Sequence, residues 1–260
     1  MDKPCRLFVL GAEVDVITPA CVMDFVGRKV AAEERAIVAN HNLHSLYLFQ
    51  RRADMRAFYA RADLIEIDST PMIAWAKLMG HKVSRAHRCT YLDFREDFWA
   101  LAQRNGWRVY HVGGEAAHND ASKASILARY PKVQLDLHTG FFDINGPANE
   151  ALLADLAAKK PDVLLVGMGM PRQEMWILAN LDRLPDCVIL PVGAAFDYEA
   201  GVMYTPPRWS GRFGIEWLVR FFHEPKRLFG RYFIEPWWLI PQALKDVMSL
   251  REVWRRQKMI

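Results

Sequence analysis

Short apolar runs alternate with longer amphipathic stretches over most of this 260-residue chain, and this alternation limits the fold more than any other feature. Runs of four or five residues rich in Val, Ile and Leu are typical of buried strands, whereas the longer stretches have helical spacing. Strands that alternate with helices predict parallel sheets covered by helices on both faces. We therefore expect an α/β fold with Rossmann-like parallel sheets flanked by helices.

The predicted elements follow one another in a regular order. Strands are expected at Arg6–Leu10, Ala36–Ala39, Leu64–Ile67, Arg108–Val112, Gln134–Leu137, Val163–Val166 and Val188–Val192. Helices are expected at Ser45–Arg61, Thr70–Met79, Leu92–Asn105, Ala117–Tyr130, Asn149–Lys159 and Gln173–Asn180. Several of these strands end at a glycine, and ligands bind parallel sheets beyond the carboxyl ends of the strands.

The last fifth of the chain has a different composition. Residues 1–210 carry 24 Lys and Arg against 25 Asp and Glu, whereas residues 211–260 carry 10 against 5, together with Trp217, Trp237, Trp238 and Trp254. Basic residues interleaved with tryptophan suit an anionic membrane surface or nucleic acid, and they equally suit a packed helix with a solvated basic face. Prolines become frequent after about residue 205. We expect an α/β body at 1–205 and a basic, aromatic-rich helical appendage at 206–260.

Composition and targeting signals predict a cytoplasmic protein. The proportions of 52% apolar and 25% charged residues are those of a globular chain. Four widely separated cysteines, without a C-x-x-C pair, favour a reducing compartment and argue against a zinc site. Glu13 and Asp15 interrupt the first apolar run, which excludes a signal peptide, and no run approaches the roughly 18 apolar residues of a membrane span. We expect no metal and no cofactor.

The densest motif runs from Pro161 to Glu174, where a buried strand enters Gly167-Met-Gly169, turns at Pro171 and opens a helix. Glycines permit close approach of a ligand, and a helix N-terminus offers free N–H groups to phosphate. The motif matches neither G-x-G-x-x-G nor a Walker loop, so a simple strand-to-helix turn is an equal alternative.

Other strand ends carry polar residues with two interpretations each. Asp197 follows the strand at Val188–Val192 and either binds a sugar hydroxyl or caps a helix. His138 and Gly140 end another strand, where a lone histidine is usually a satisfied polar residue. Asp68 ends the strand Leu64–Ile67 and either acts as a general base or caps the helix near Pro71.

These motifs together resemble the WecG/TagA/CpsF family of bacterial glycosyltransferases, from about Ile37 to Arg231. The most specific blocks are PDVLLVGMGMPRQEMWI (161–177), PVGAAFDYEAG (191–201), PPRW (206–209) and GIEWLVRFFHEPKRLFGRY (214–232). The resemblance implies metal-independent, inverting transfer of a hexosyl unit from a UDP-sugar to a polyprenyl-diphosphate-linked sugar on the inner membrane face. It also implies membrane contact through the C-terminal segment, no nucleic acid partner, and leaves a homo-oligomer open.

The resemblance assigns roles to residues of this chain. Asp68 falls on the family's proposed catalytic base, and Asn40 lies where the family has a threonine. The expected substrate-binding residues are Asn42, Arg88, Asp93, Gly113, Gly114, His138, Gly140, Gly167, Gly169, Pro171, Gln173, Glu174, Asp197, Arg208, Arg220, Arg227 and Arg231.

Three positions depart from the family pattern. Asn40 replaces a threonine, Ser69 replaces the glycine that follows the base, and Tyr91 replaces a glycine in the Arg88–Asp93 stretch. All three lie in the half expected to hold the sugar and the acceptor. The donor is therefore expected to be of the UDP-glucose or the UDP-N-acetylmannosamine type.

Two functions of other classes are weaker alternatives. A nicotinamide-dependent oxidoreductase requires an early G-x-G-x-x-G, and here Gly11 stands alone after the first strand. A non-catalytic module that binds membrane or nucleic acid would explain the basic C-terminal segment but not the glycine-ended strands of the body.

Overall fold

The computed structural model describes residues 5–204 and 216–257. The strands of the body are β1 (Cys5–Val9), β2 (Ala12–Val16), β3 (Ala36–His41), β4 (Leu64–Ile67), β5 (Arg108–Gly113), β6 (Gln134–His138), β7 (Val163–Gly167) and β8 (Val188–Pro191). Its helices are α1 (Pro19–Ala31), α2 (Leu43–Arg51), α3 (Ala53–Tyr59), α4 (Thr70–Leu78), α5 (Tyr91–Asn105), α6 (Ala116–Arg129), α7 (Pro147–Lys159), α8 (Arg172–Asn180) and α9 (Ala195–Glu199), with a 3₁₀ turn at Arg85–His87.

The central sheet consists of six parallel strands in the order β4-β3-β8-β7-β5-β6. Alternate residues of each strand enter two apolar layers, so that Leu164 and Val166 of β7 face one layer while Val163 and Leu165 face the other. Helices cover both faces, because neither face of a parallel sheet can be left to water. The predicted α/β, Rossmann-like class is confirmed.

The first predicted strand does not belong to the parallel sheet. Strand β1 pairs antiparallel with β2, which the sequence did not predict. Asp15 of β2 is fully buried, where it accepts from Arg6 Nε at 2.8 Å and from the backbone N–H of Ile65 at 2.8 Å. Because Glu13 and Asp15 break the apolar pattern, the sequence gives no sign of strand β2. The carboxylate of Asp15 can be buried there because Arg6 and the backbone of Ile65 donate hydrogen bonds to it.

Two helix predictions also differ from the structure. The predicted helix Ser45–Arg61 is divided between α2 and α3, because Arg52 has extended backbone angles of φ −124° and ψ 126°. Helix α1 was not predicted, although Thr18 caps it by accepting from Cys21 N at 3.3 Å and Pro19 begins it.

The C-terminal segment is helical and rich in exposed aromatic residues. It comprises α10 (Glu216–His223), α11 (Pro225–Phe229), a π-helical turn (Gly230–Ile234), a 3₁₀ turn (Glu235–Leu239) and α12 (Ile240–Gln257). No helix within residues 5–204 and 216–257 combines the length and the apolar character needed to cross a membrane.

Polar contacts join this segment to the body. Glu235 accepts from His44 Nδ1 at 2.7 Å. Asp246 Oδ2 accepts from the backbone N–H of Leu10 at 3.0 Å and from Trp75 Nε1 at 2.8 Å. The segment is thus docked beside α2, α4 and the β1–β2 hairpin, next to the carboxyl ends of β3 and β4.

Candidate active site

Three adjoining cavities lie along the carboxyl edge of the sheet. The glycine-lined cavity, of about 710 Å³, lies beyond β5, β6, β7 and β8. The central cavity, of about 250 Å³, lies beyond β3, β4 and β8. The tail cavity, of about 370 Å³, is closed by the C-terminal segment. The first two share Gly169, Gly193 and Ala194, and the last two share Asn42, Asp68, Arg220 and Arg231.

The glycine-lined cavity is open to a ligand at Gly169. This residue has φ +75°, and a Cβ atom added there would meet no protein atom within 4 Å. The predicted close approach of a ligand to the backbone is therefore sterically available. The residues that line this cavity include Gly114, His118, Gly140, Phe141, Gly167, Arg172, Gly193 and Asp197.

Two glycines at strand ends, Gly113 of β5 and Gly167 of β7, are required by close packing. A Cβ atom on Gly113 would lie 2.5 Å from the carbonyl oxygen of Gly167, and one on Gly167 would lie 2.6 Å from His111 Nε2. The His111 ring is fully buried and stacks on Phe196 with ring centroids 3.5 Å apart. Burial lowers its pKa to about 3, so the ring is neutral. The absence of side chains at Gly113 and Gly167 thus allows β5, β7 and the His111 ring to pack closely at the floor of the cavity.

A histidine and a carboxylate meet at one wall of this cavity. Asp197 Oδ1 lies 3.1 Å from His118 Nδ1, and both side chains are partly exposed. Ala194 is the N-cap of α9, so the alternative role of Asp197 as helix cap is wrong. The pair presents hydrogen-bonding groups of the kind that hold ribose hydroxyls.

Arg172 closes the opposite wall. Its Nη2 donates to the carbonyl oxygens of Gly140 at 3.2 Å and Phe142 at 2.5 Å. This cation lies at the start of α8, directly after the Gly167–Pro171 turn, where free N–H groups also favour an anion.

Gln173 and Glu174 begin the same helix but have different surroundings. Gln173 lines the central cavity, and its Oε1 accepts from the backbone N–H of Gly193 at 3.2 Å. Glu174 is fully buried and lines none of the three cavities. Burial raises the pKa of Glu174 to about 7. Its contact with a substrate stays a prediction.

Asp68 occupies the junction of the central and tail cavities. Its backbone N–H donates to His41 O at 2.8 Å, which extends the pairing of β3 with β4 by one residue. Ser69 is the N-cap of α4, so the alternative role of Asp68 as helix cap is wrong. Asn42 lines both cavities beside Asp68, while Asn40 lines the central cavity and donates through Nδ2 to Pro191 O at 3.0 Å.

Two arginines of the C-terminal segment complete this junction. Arg220 and Arg231 line both the central and the tail cavity. The guanidinium of Arg220 also lies 5.7 Å from the ring centroid of Tyr198. Arg208 lies outside the described residues, and the structure describes the backbone of Arg227 but not its side chain.

Arg88 and Asp93 form an ion pair beside the tail cavity. Arg88 Nη2 lies 3.2 Å from Asp93 Oδ2, which also accepts from Thr90 Oγ1 at 2.8 Å. Arg88 lines the tail cavity, whereas Asp93 lines none of the three cavities, so contact of Asp93 with a substrate stays a prediction. His138 donates from Nδ1 to Thr139 O at 2.8 Å and lines none of the three cavities, as expected for a satisfied polar residue. Pro171 is the N-cap of α8.

Some polar residues of the cavities were not predicted from the sequence. They include His118, Arg172, Glu66 and Tyr198. Arg172 could have been found, because it follows the glycine motif directly. His118 and Tyr198 lie within helices, and Glu66 lies inside an apolar strand, so their positions depend on tertiary structure. Among the described residues, no three His, Cys, Asp or Glu side chains are grouped as a metal-binding set.

Comparison with known proteins gives a consistent assignment. The chain is 26% identical over 168 residues to the N-acetylglucosaminyldiphosphoundecaprenol N-acetyl-beta-D-mannosaminyltransferases of Staphylococcus aureus strains MRSA252, MW2 and NCTC 8325 / PS 47. Each match covers 65% of this chain and 64% of the relative, so the chain spans somewhat less than two thirds of these proteins.

The family comparison extends much further along the chain. The sequence model of the glycosyl transferase WecG/TagA/CpsF family matches residues 7–253, which include all three cavities and most of the C-terminal segment. The chain belongs to the WecG/TagA/CpsF family of glycosyl transferases.

Proposed function

We propose that this protein transfers a hexosyl unit from a UDP-sugar to a polyprenyl-diphosphate-linked sugar, in the synthesis of a bacterial surface or exocellular polysaccharide. The observation that carries the proposal is the position of Asp68. Its carboxylate lies where the central cavity, which adjoins the glycine-lined cavity, meets the arginine-containing tail cavity. A carboxylate that faces both spaces is suited to take the proton of an acceptor hydroxyl that attacks a donor sugar.

The glycine-lined cavity suits the nucleotide of the donor. The open backbone at Gly169 and the N-terminus of α8 offer N–H groups to a diphosphate. Asp197 and His118 line the same cavity, where they are proposed to bind hydroxyl groups of the nucleoside. The donor sugar would then extend past Gly193 into the central cavity, toward Asp68.

The chemistry follows from this placement. The acceptor hydroxyl attacks the anomeric carbon of the donor, and its proton passes to the carboxylate of Asp68. The new glycosidic C–O bond forms as the bond between the anomeric carbon and the β-phosphate oxygen breaks, and the electron pair leaves with UDP. A single displacement of this kind inverts the anomeric centre.

The arginines provide the charge that two diphosphates require. Arg220 and Arg231 reach the central and tail cavities, where a guanidinium can bind phosphate oxygens in pairs. They are positioned to stabilise the leaving diphosphate or the acceptor diphosphate without a metal ion. Arg208 and Arg227 belong to the same sequence blocks and are proposed to join them.

The donor sugar is the least constrained part of the proposal. The names of the Staphylococcus aureus relatives describe transfer of N-acetylmannosamine to a diphosphoundecaprenol-linked N-acetylglucosamine. In this chain Tyr91, which replaces a family glycine, is partly buried and donates through its hydroxyl group to Glu199 Oε1 at 2.8 Å. Because Tyr91 lines the central cavity and departs from the family pattern, we propose a donor of the UDP-glucose or the UDP-N-acetylmannosamine type.

The test is a transfer assay with purified protein. UDP-glucose, UDP-N-acetylmannosamine and UDP-N-acetylglucosamine are each supplied with a short-chain polyprenyl-diphosphate-N-acetylglucosamine, with and without EDTA. We expect release of UDP and extension of the lipid-linked sugar with one donor, unchanged by EDTA. Absence of transfer from every donor, in protein that binds UDP, would contradict the proposed reaction.

The C-terminal segment is proposed to bring the enzyme to its lipid-linked acceptor, from the cytoplasmic side of the membrane. Phe222 and Trp237 are 73% and 69% exposed, and the segment carries the positive excess of the chain. Exposed aromatic rings beside basic residues favour the headgroup layer of an anionic bilayer.

A further inference from the structure

The carboxyl side chain of Glu66 occupies a buried position of strand β4, where an apolar side chain is expected. It shares its face of β4 with Leu64, which packs into the apolar layer formed with Val38, Phe94 and Leu190. The side chain of Glu66 is only 4% exposed. A polar group placed there without compensation destabilises the fold, so its presence requires a reason.

The part of the chain that the structure describes leaves this carboxyl group incompletely hydrogen-bonded. Oε1 of Glu66 is buried and has no hydrogen-bond partner among the described residues. The backbone pairing places Asn40 beside it on β3, but the amide of Asn40 is directed to Pro191 O. The unused hydrogen-bonding capacity of Glu66 is therefore available to a molecule in the adjoining space.

That space is the central cavity. Glu66 lines it together with Asn40, Asp68, Thr90 and Gln173. Glu66 precedes Asp68 by two residues on the same strand, so its Cα atom lies roughly 7 Å further from the strand end. Glu66 thus belongs to the floor of the cavity, whereas Asp68 stands at its junction with the tail cavity.

The protonation state of Glu66 fits a neutral ligand. Burial, and to a smaller extent the charges of Asp68 and Asp93, raise its pKa well above the usual range. A protonated carboxyl group offers one O–H donor and one carbonyl acceptor. This pair of functions is complementary to a sugar hydroxyl, which also donates and accepts.

We propose that Glu66 is a specificity-determining residue that hydrogen-bonds a hydroxyl group of the pyranose ring bound in the central cavity. The inference rests on the proposed function and extends it to the recognition of the sugar. Donor and acceptor both carry such hydroxyl groups, and the kinetic experiment distinguishes them.

The experiment compares Glu66→Leu and Glu66→Gln with the wild type, using whichever UDP-sugar the wild type transfers best. Loss of a hydrogen bond to bound substrate, which leaves the hydroxyl group buried and unpaired, should lower kcat/KM by roughly tenfold in Glu66→Leu. Glu66→Gln keeps a donor and an acceptor and should retain kcat/KM within about threefold. A rise in the KM of the donor assigns the contact to the donor sugar, and a rise in the KM of the acceptor assigns it to the acceptor.

Stability and packing are controlled separately. Glu66→Leu removes a buried carboxyl group without a partner, so its melting temperature should not fall. Leu64→Val, on the same face of β4 but outside the cavity, should lower the melting temperature and leave both KM values unchanged. Glu66→Met, which keeps the length of the side chain, is the second apolar variant if Glu66→Leu does not fold.

The possible outcomes separate this inference from the proposed function. If the wild type transfers sugar and both apolar variants match its kcat/KM within twofold for both substrates, Glu66 is a buried acid or binds only water, and the inference is overturned. If the wild type binds UDP but transfers no sugar, the proposed function fails and the inference falls with it.

Discussion

Gln173 donates from Nε2 to Oε1 of Glu174 at 2.8 Å, and this contact fixes which end of the Gln173 amide faces the substrate cavities. Because its NH₂ group is held by the carboxyl group, its Oε1 is left to accept from the backbone N–H of Gly193. Gly193 lines both the glycine-lined and the central cavity. The fully buried carboxyl group of Glu174 thus orients the Gln173 amide, which in turn holds the backbone of Gly193 in the wall of the proposed donor site.

The first prediction concerns the pH dependence of stability. Burial raises the pKa of Glu174 from 4.5 to about 7, so the folded state prefers the protonated acid. The contribution of the protonated Glu174 side chain to the free energy of unfolding is fully present below pH 4.5 and is lost as the pH rises through about 7. Glu174→Gln cannot ionise, so the free energy of unfolding of the wild type should fall relative to that of Glu174→Gln by about 2.5 kcal/mol between pH 5 and pH 8. Urea unfolding across this pH range measures the difference, and parallel curves for the two proteins would contradict the assignment.

The second prediction assigns the base. Asp68→Asn keeps the shape of the side chain but cannot take the proton of the acceptor, so turnover should fall by about 10²–10⁴-fold. UDP affinity should be unchanged, because Asp68 does not line the glycine-lined cavity. Initial rates and calorimetry with UDP measure the two quantities. Asp120→Asn, at an exposed position on α6, is the matched control, and near-normal turnover in Asp68→Asn would remove the base from the mechanism.

The sequence was sufficient for elements that are stabilised by their own local pattern. The run Leu64–Ile67 was predicted to the residue, since Asp63 and Asp68 bound four buried positions. Strand β2 was missed because the burial of Asp15 depends on Arg6 and on the backbone of Ile65, which is 50 residues away. Sequence periodicity cannot predict the burial of a carboxylate whose hydrogen-bond donors are remote in the sequence.

The same distinction applies to the site. The glycine-ended strands predicted which edge of the sheet carries the cavities, because parallel strands present their carboxyl ends together. The meeting of His118 with Asp197 joins α6 to α9 across 79 residues, and no local pattern encodes it. The boundary between residues 205 and 206 stays a prediction.

The third prediction places the nucleotide. Gly169→Val should weaken UDP binding by at least tenfold, because the added side chain enters the space where the ligand approaches the backbone. The positive φ of this residue also introduces strain, so a control with equal strain is needed. Gly80 has φ +84°, equally free surroundings and no part in the three cavities. Gly80→Val should lose similar stability and keep UDP affinity. Equal UDP affinity in both folded variants would place the nucleotide elsewhere.

The fourth prediction concerns the membrane. The purified protein should bind vesicles that contain phosphatidylglycerol at low salt and leave them at high salt, because each Lys or Arg near an anionic surface contributes about 1 kcal/mol. Co-sedimentation over a salt series measures this binding. The positive excess and the exposed aromatic rings occupy the same segment, so charge and apolar insertion should act together.

Point substitutions test this idea better than removal of the segment, since Glu235 and Asp246 join it to the body through hydrogen bonds. Phe222→Ser combined with Trp237→Ser should weaken vesicle binding by on the order of tenfold and leave UDP affinity intact, because neither side chain lines a cavity. Phe8→Ser, at a residue 62% exposed on the body, should bind vesicles like the wild type. If all three proteins bind equally, or if the wild type ignores anionic vesicles at low salt, the exposed rings do not dock the enzyme, and the acceptor must reach the tail cavity by another route.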